Sequence, residues 1–154
     1  MLNNTHPHVL MVYGTLKRPF SNHTLLMGAR FMGEATTVEK FLMADGGFPR
    51  VAHVPRAPAY KDLAGQVRGE VYRCPDDVLT ACDRLEGHPR WYCREKVSAV
   101  LDGANPTQVT AWLYIIRELP DMHSLMEPKN GLLTWGERAA RFPTRSGVFT
   151  TTSK

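Results

Sequence analysis

The first pattern in the chain is a short apolar run, Leu10, Met11, Val12 and Tyr13, that stops abruptly at Gly14. Four apolar residues of this kind read as a buried strand. A glycine at its end lets the backbone turn sharply or approach another molecule closely. After the turn, Ser21 or Asn22 can cap a short helix running through Ala29, with Leu25, Leu26 and Ala29 on its apolar face. Residues 31–44 are strand-like but irregular and end in Asp45-Gly46-Gly47, a strong turn signal. Phe48 precedes Pro49 and is therefore held extended, where its ring either walls a pocket or packs on the core. Residues 53–62, with Pro55, Pro58 and scattered charge, read as a surface loop.

The alternation resumes in residues 66–73. Val67, Gly69 and Val71 oppose Arg68, Glu70 and Tyr72, and Gly69 inside the run marks a bulge or a close backbone contact. Pro75, Asp76 and Asp77 then open a helix over residues 75–86. Proline suits the first helical position, and the two carboxylates favour the positive end of the helix dipole. Val78, Leu79, Cys82 and Leu85 form its apolar face and Gly87 ends it. Residues 91–101 form a strand with Trp91, Cys93, Val97, Ala99 and Leu101 on one face and Tyr92 and Arg94 on the other. A hairpin at residues 102–106 leads into a strand over 107–117. There Val109, Ala111, Leu113 and Ile115 alternate with Trp112, Tyr114 and Ile116, so both faces are buried. A weak helix or turn is predicted around residues 132–142, a loose tail from about 143, and a frayed leader over residues 1–8.

With 154 residues, 43% hydrophobic and 22% charged, the chain suits one globular domain, with residues 9–117 as its core and 118–154 as a C-terminal extension. The net charge of +4 comes from interspersed residues, with no Lys/Arg cluster of the kind nucleic-acid binding needs. No stretch reaches the ~18 apolar residues of a membrane span, and no basic, apolar leader opens the chain. These features argue for a soluble, cytoplasmic protein that binds neither nucleic acid nor membrane. Cys74, Cys82 and Cys93 are odd in number and contain no Cys-x-x-Cys pair, so buried thiols are expected in place of a disulfide framework or a zinc cluster. The histidines lack metal-site spacing, and no Gly-x-Ser-x-Gly or phosphate-loop motif occurs, so neither a metal nor a serine nucleophile is assigned.

Two places carry candidate chemistry. Free N–H groups at the Gly14 turn would form a cradle for a carboxylate or a developing oxyanion. Glu86, at the negative end of its helix and one turn after Asp83, is expected to have a raised pKa, which suits a group that accepts and returns a proton near neutrality.

Three separated segments together resemble the γ-glutamylcyclotransferase-like proteins, and within them the γ-glutamylamine cyclotransferase and AIG2-like branch. They are Val12-Tyr13-Gly14-Thr15-Leu16-Lys17, Gly69-Glu70-Val71-Tyr72, and Asp83-Arg84-Leu85-Glu86 followed by Pro89, Tyr92 and Arg94; the Phe48-Pro49 step fits too. The resemblance implies a small α+β fold with a mixed, β-barrel-like sheet and few short helices. It further implies that Tyr13, Gly14, Thr15 and Leu16 bind a γ-glutamyl headgroup, that Glu86 is the catalytic acid and base, and that Tyr92 and Tyr114 line the pocket. The implied reaction releases 5-oxoproline and an amine or amino acid from a small γ-glutamyl substrate, without a cofactor. The alternative is a non-catalytic member of the same fold that binds a γ-glutamyl compound or a protein partner. The segment after Glu86 is bulky and basic, and it leaves the departing group open.

Overall fold

In the computed structural model, residues 4–136 are described. Among the described residues, seven strands and one α-helix set the fold: β1 His8–Val12, β2 Arg30–Asp45, β3 Pro49–Ala52, β4 Gly65–Cys74, α1 Asp76–Glu86, β5 Tyr92–Leu101, β6 Thr107–Ile116 and β7 Leu132–Leu133. The sheet runs β3-β2-β5-β6-β1-β4-β7, and a further pairing of β2 with β4 closes it into a five-stranded barrel of β2, β5, β6, β1 and β4. The β1–β6 neighbours are parallel, with Leu10 opposite Trp112, whereas the other barrel pairs are antiparallel. This is the mixed, barrel-like α+β architecture implied by the resemblance.

The irregular pattern over residues 31–44 has a physical cause. β2 is one strand of 16 residues that serves β4, β5 and β3 in turn, and its register against β4 shifts between Phe31 and Gly33 and again between Thr36 and Lys40. At the second shift the fully buried Thr37 hydroxyl accepts from the Val67 amide at 2.9 Å and donates to the Glu39 carbonyl at 2.8 Å, making good the ladder bonds that the bulge removes.

Apolar alternation divides the interior into two layers. Met11, Phe41, Met43, Val71, Val97 and Leu113 point into the barrel, while Leu10, Val12, Tyr72, Tyr92 and Tyr114 point outward against α1. As the sequence pattern predicts, β6 is covered on both faces, with Ala111, Leu113 and Ile115 inside and Tyr114 outside. Helix α1 buries Val78, Leu79 and Cys82 against the outward layer. Gly87 ends it in the left-handed conformation at φ 68°, with the His88 amide bonded back to the Asp83 carbonyl at 2.9 Å.

Several expectations need correction. The helix expected over residues 21–29 is a tighter 3-10 turn, Ser21–Leu26, and Pro75 caps α1 from outside instead of opening its first turn. Leu85 is 42% exposed and does not join the apolar face of α1. Trp91 lies before β5 and is 72% exposed against the Gly87 backbone, so the strand's first buried side chain is Tyr92. Part of the leader is ordered: His8 already pairs with Cys74, and His6 hydrogen-bonds the Gly28 carbonyl at 2.8 Å. The surface loop over 53–62 leads into a 3-10 turn at Pro58–Leu63. Where a weak helix or turn was expected, residues 132–133 instead form β7, parallel to β4. Residues 134–136 continue without helix, and residues 137–142 and the tail from 143 lie outside the described residues. Among the described residues, no helix is long and apolar enough to cross a membrane.

Candidate functional site

The strand β1 ends at Val12, and the backbone then leaves the barrel beside the end of α1. Gly14 to Lys17 forms a turn closed by the Lys17 amide on the Gly14 carbonyl at 2.9 Å. In such a turn the amides between the two ends are not used. Among the described residues, no acceptor in the chain takes the N–H of Gly14, Thr15 or Leu16. A Cβ on Gly14 would sit 2.6 Å from the ring of Pro49, so only glycine lets the turn lie against β3.

The turn is held from several sides. Leu16 is buried as its apolar anchor. Asn22 donates to the Thr15 hydroxyl at 2.8 Å, and a ring nitrogen of His23 lies 3.0 Å from the Leu16 carbonyl. From β4, the buried Glu70 carboxylate accepts from the Arg18 amide at 3.1 Å and the Tyr72 hydroxyl at 2.8 Å. Glu70 belongs to the second resemblance segment, yet residue pattern alone assigns it no task; here it clamps the loop.

Glu86 reaches the same place from α1. Cys82 faces inward, and one turn further the residue at i+4 falls on the same stripe, so Glu86 turns toward the barrel while Leu85 turns out. Glu86 joins Tyr13, Gly14, Thr15, Leu16, Tyr92 and Tyr114 around one cleft with about 370 Å³ of empty space, its open mouth included. All seven residues singled out from the sequence therefore meet there. Met11, Val12, Phe48 and Pro49 complete the lining. Phe48, 51% exposed, is a pocket wall and not a core residue. The Asp45-Gly46-Gly47 turn, with Asp45 accepting from the Gly47 amide at 3.1 Å, delivers it there.

The electrostatics of the cleft are those of one isolated acid. Among the described residues, no side chain or amide hydrogen-bonds the Glu86 carboxylate and no cation pairs with it. Burial lifts its pKa from 4.5 to about 7. The expected rise is present, but its cause is desolvation and not the helix dipole or Asp83. The phenols of Tyr13, Tyr92 and Tyr114 all feel the Glu86 charge, and burial above all holds each well above its ordinary pKa, so they are neutral donors. All three hydroxyls are committed to the frame: Tyr13 donates to the Tyr114 carbonyl at 2.6 Å, Tyr92 to the Pro49 carbonyl at 3.1 Å and Tyr114 to the Asp83 carboxylate.

Asp83 faces Arg94 and Tyr114. Its carboxylate accepts from the Tyr114 hydroxyl at 2.7 Å and from the Arg94 guanidinium at 2.9 and 3.2 Å, and Arg94 stacks over Trp112 at 4.3 Å. Tyr92, Arg94 and Tyr114 share the α1 side of the sheet, so no bulge in β5 is needed to line the cleft. Asp83 thus fastens the last turn of α1 to β5 and β6. Both partners of the ion pair are about four-fifths covered. Asp83→Ala therefore strands a guanidinium and is expected to cost about 2–3 kcal/mol in denaturant unfolding, with Asp83→Asn losing less.

Comparison with known proteins bears on the family and the fold. The sequence profile of the family described as γ-glutamyl cyclotransferase, AIG2-like, matches residues 10–133. A provisionally named γ-glutamylcyclotransferase of Methanocaldococcus jannaschii is 36% identical over 110 residues, spanning 71% of this chain and 84% of its own. A γ-glutamylaminecyclotransferase of Bos taurus is 31% identical over 102 residues, spanning 61% of this chain and 57% of its own. Among solved structures, an AIG2-like protein from Mus musculus superposes with a TM-score of 0.65 at 26% identity, covering 78% of this chain and 84% of its own. An uncharacterised protein from Pyrococcus horikoshii shares the fold, with a TM-score of 0.61 at 21% identity, over 84% of this chain and 91% of its own. The chain belongs to the γ-glutamyl cyclotransferase, AIG2-like family.

Proposed function

We propose that the chain is an enzyme that cyclises the γ-glutamyl group of a small γ-glutamyl compound, releasing 5-oxoproline and a free amine or amino acid. The observation that carries the reading is the unpartnered Glu86 carboxylate, lifted to about 7, facing the free amides of residues 14–16 across one cleft. A binding module would use such an acid only to pair a ligand ammonium, which favours a fully ionised carboxylate; an acid lifted to neutrality suits a group that takes and returns a proton.

The substrate's α-nitrogen attacks its own γ-carbonyl carbon, a C–N bond closes a five-membered lactam, and the original γ-amide C–N bond breaks. The α-ammonium loses two protons in becoming the lactam N–H: one is released to water, and Glu86 carries the other from that nitrogen to the departing one, which leaves as a neutral amine. Because nucleophile and electrophile share one molecule, the protein gains chiefly by holding a folded-back conformer, an advantage that reaches several kcal/mol. The amides of Gly14, Thr15 and Leu16 hold the α-carboxylate or the developing oxyanion. Tyr13, Tyr92 and Tyr114 keep the cleft narrow and partly dry around the acid.

The pH profile tests the role of the acid. The ionised form of Glu86 accepts the proton, so kcat/KM for 5-oxoproline release rises with pH through an apparent pKa near 7 and levels above it. A rising limb centred near 4.5, the value of an unburied glutamate, would contradict the assignment.

A further inference from the structure

One cation beside the cleft has no task in the account so far. Arg50 is the second residue of β3, directly after Pro49. Its Nε is buried without a hydrogen-bond acceptor, and among the described residues no carboxylate pairs with its guanidinium. The group packs over the Gly46 backbone, where a Cβ would lie 3.1 Å from Nη2, and it sits 5.9 Å from the centre of the Phe48 ring. Its charge is felt at the Tyr92 phenol, which also feels Glu86, so Tyr92 lies within the field of both groups. Buried guanidinium donors are ordinarily satisfied, most often by the two oxygens of a carboxylate.

Position decides which carboxylate fits. The glutamyl end of the substrate is taken by the 13–16 turn on the floor of the cleft. Phe48 lines the cleft with its ring half exposed to solvent, and the Arg50 guanidinium, which is not itself part of the lining, stands 5.9 Å from the centre of that ring on the solvent side of the substrate's path. Whatever is attached to the γ-carbonyl must leave through the open mouth of the cleft. We infer that Arg50 reads a carboxylate on the departing amine, making γ-glutamyl amino acids better substrates than γ-glutamylamines of the same shape that lack the acid. This inference rests on the cyclisation reading above.

The test compares γ-glutamylalanine with γ-glutamylethylamine, which differ only in that carboxylate. In the wild type, kcat/KM for 5-oxoproline release is expected to favour the alanine compound by about tenfold or more, since hydrogen bonds to charged groups carry differences of that size. Arg50→Met brings the ratio to near unity. Arg50→Lys, which keeps the charge but not the fork, retains part of it. Thermal melts monitor folding, and Arg50→Lys still reads the ratio should the methionine variant fail to fold. A wild-type ratio near one, or a ratio that Arg50→Met leaves unchanged, overturns the inference. So does an equal loss on both compounds, which would place Arg50 on the glutamyl headgroup. Calorimetric affinities for the same pair separate the two levels. If neither compound is cyclised, the cyclisation reading fails, while a tenfold difference in Kd that disappears in Arg50→Met still upholds Arg50 as the carboxylate reader.

Discussion

Glu86→Gln is expected to abolish 5-oxoproline release, by a factor of ~10²–10⁴, while leaving the protein folded and more stable at alkaline pH. The two effects have one origin. Burial raises the Glu86 pKa from 4.5 to about 7, so the folded state prefers the protonated acid. That preference favours folding fully below pH 4.5 and is lost as the pH rises through 7, above which the whole penalty of a buried charge is in place. A shift of this size corresponds to about 3 kcal/mol. The neutral carboxamide avoids the penalty, so Glu86→Gln should raise the Tm by several degrees at pH 8 and by little at pH 4.5. Activity assays of 5-oxoproline and paired melts at the two pH values check both halves. A variant that is inactive but also less stable at pH 8 would mean that Glu86 is held by contacts the structure does not contain.

The second large effect lies at Gly69 in β4. A Cβ there would fall 2.3 Å from the Val12 carbonyl oxygen and 3.2 Å from the Met11 side chain. The obstacle is backbone, in a closed barrel, at the point where Val12 pairs with Glu70 and the chain enters the 13–17 turn. Gly69→Ala must therefore push β1 from β4, and it is expected to cost about 3 kcal/mol or more, or to prevent folding. Gly103→Ala is the control. Its φ of 142° strains an alanine, but nothing lies within 4 Å, so about 1 kcal/mol is expected. Urea unfolding of both variants measures the difference, and equal losses would show that close approach is not why Gly69 is present.

These residues also show how much of the molecule could be read from its sequence. The close contact at Gly69 and the helix bounded by Pro75, Asp76 and Gly87 follow from local chemistry, and the structure contains both. The two-sided burial of β6 was readable for the same reason, because alternation records burial directly. The alternating pattern misplaces Trp91, because carried backwards it ignores the Gly87 turn, whose left-handed backbone leaves the indole outside the sheet. Likewise, counting Leu85 into the apolar face hid the i+4 step from Cys82 to Glu86, the signal that would have turned the acid inward. The direction of its pKa shift is legible in the sequence through the helix dipole and Asp83, whereas the actual cause, desolvation, depends on the tyrosines and Pro49 that distant strands deliver to the same cleft. The clamps at Glu70 and Asp83 and the cation at Arg50 were invisible for a related reason. Each acquires meaning only from partners brought by barrel closure, such as Arg18, Tyr114 and Tyr92.

The account depends on one γ-glutamyl group being gripped by the 13–16 turn while residue 86 attends its nitrogen atoms. A crystal structure of Glu86→Gln soaked with γ-glutamylalanine tests this most directly. The expected result is a glutamyl headgroup hydrogen-bonded to the amides of Gly14, Thr15 and Leu16, with the carboxamide at position 86 within about 3 Å of its α-nitrogen. A headgroup bound outside this cleft, or bound within it with residue 86 turned away from the reacting nitrogen atoms, would contradict the account.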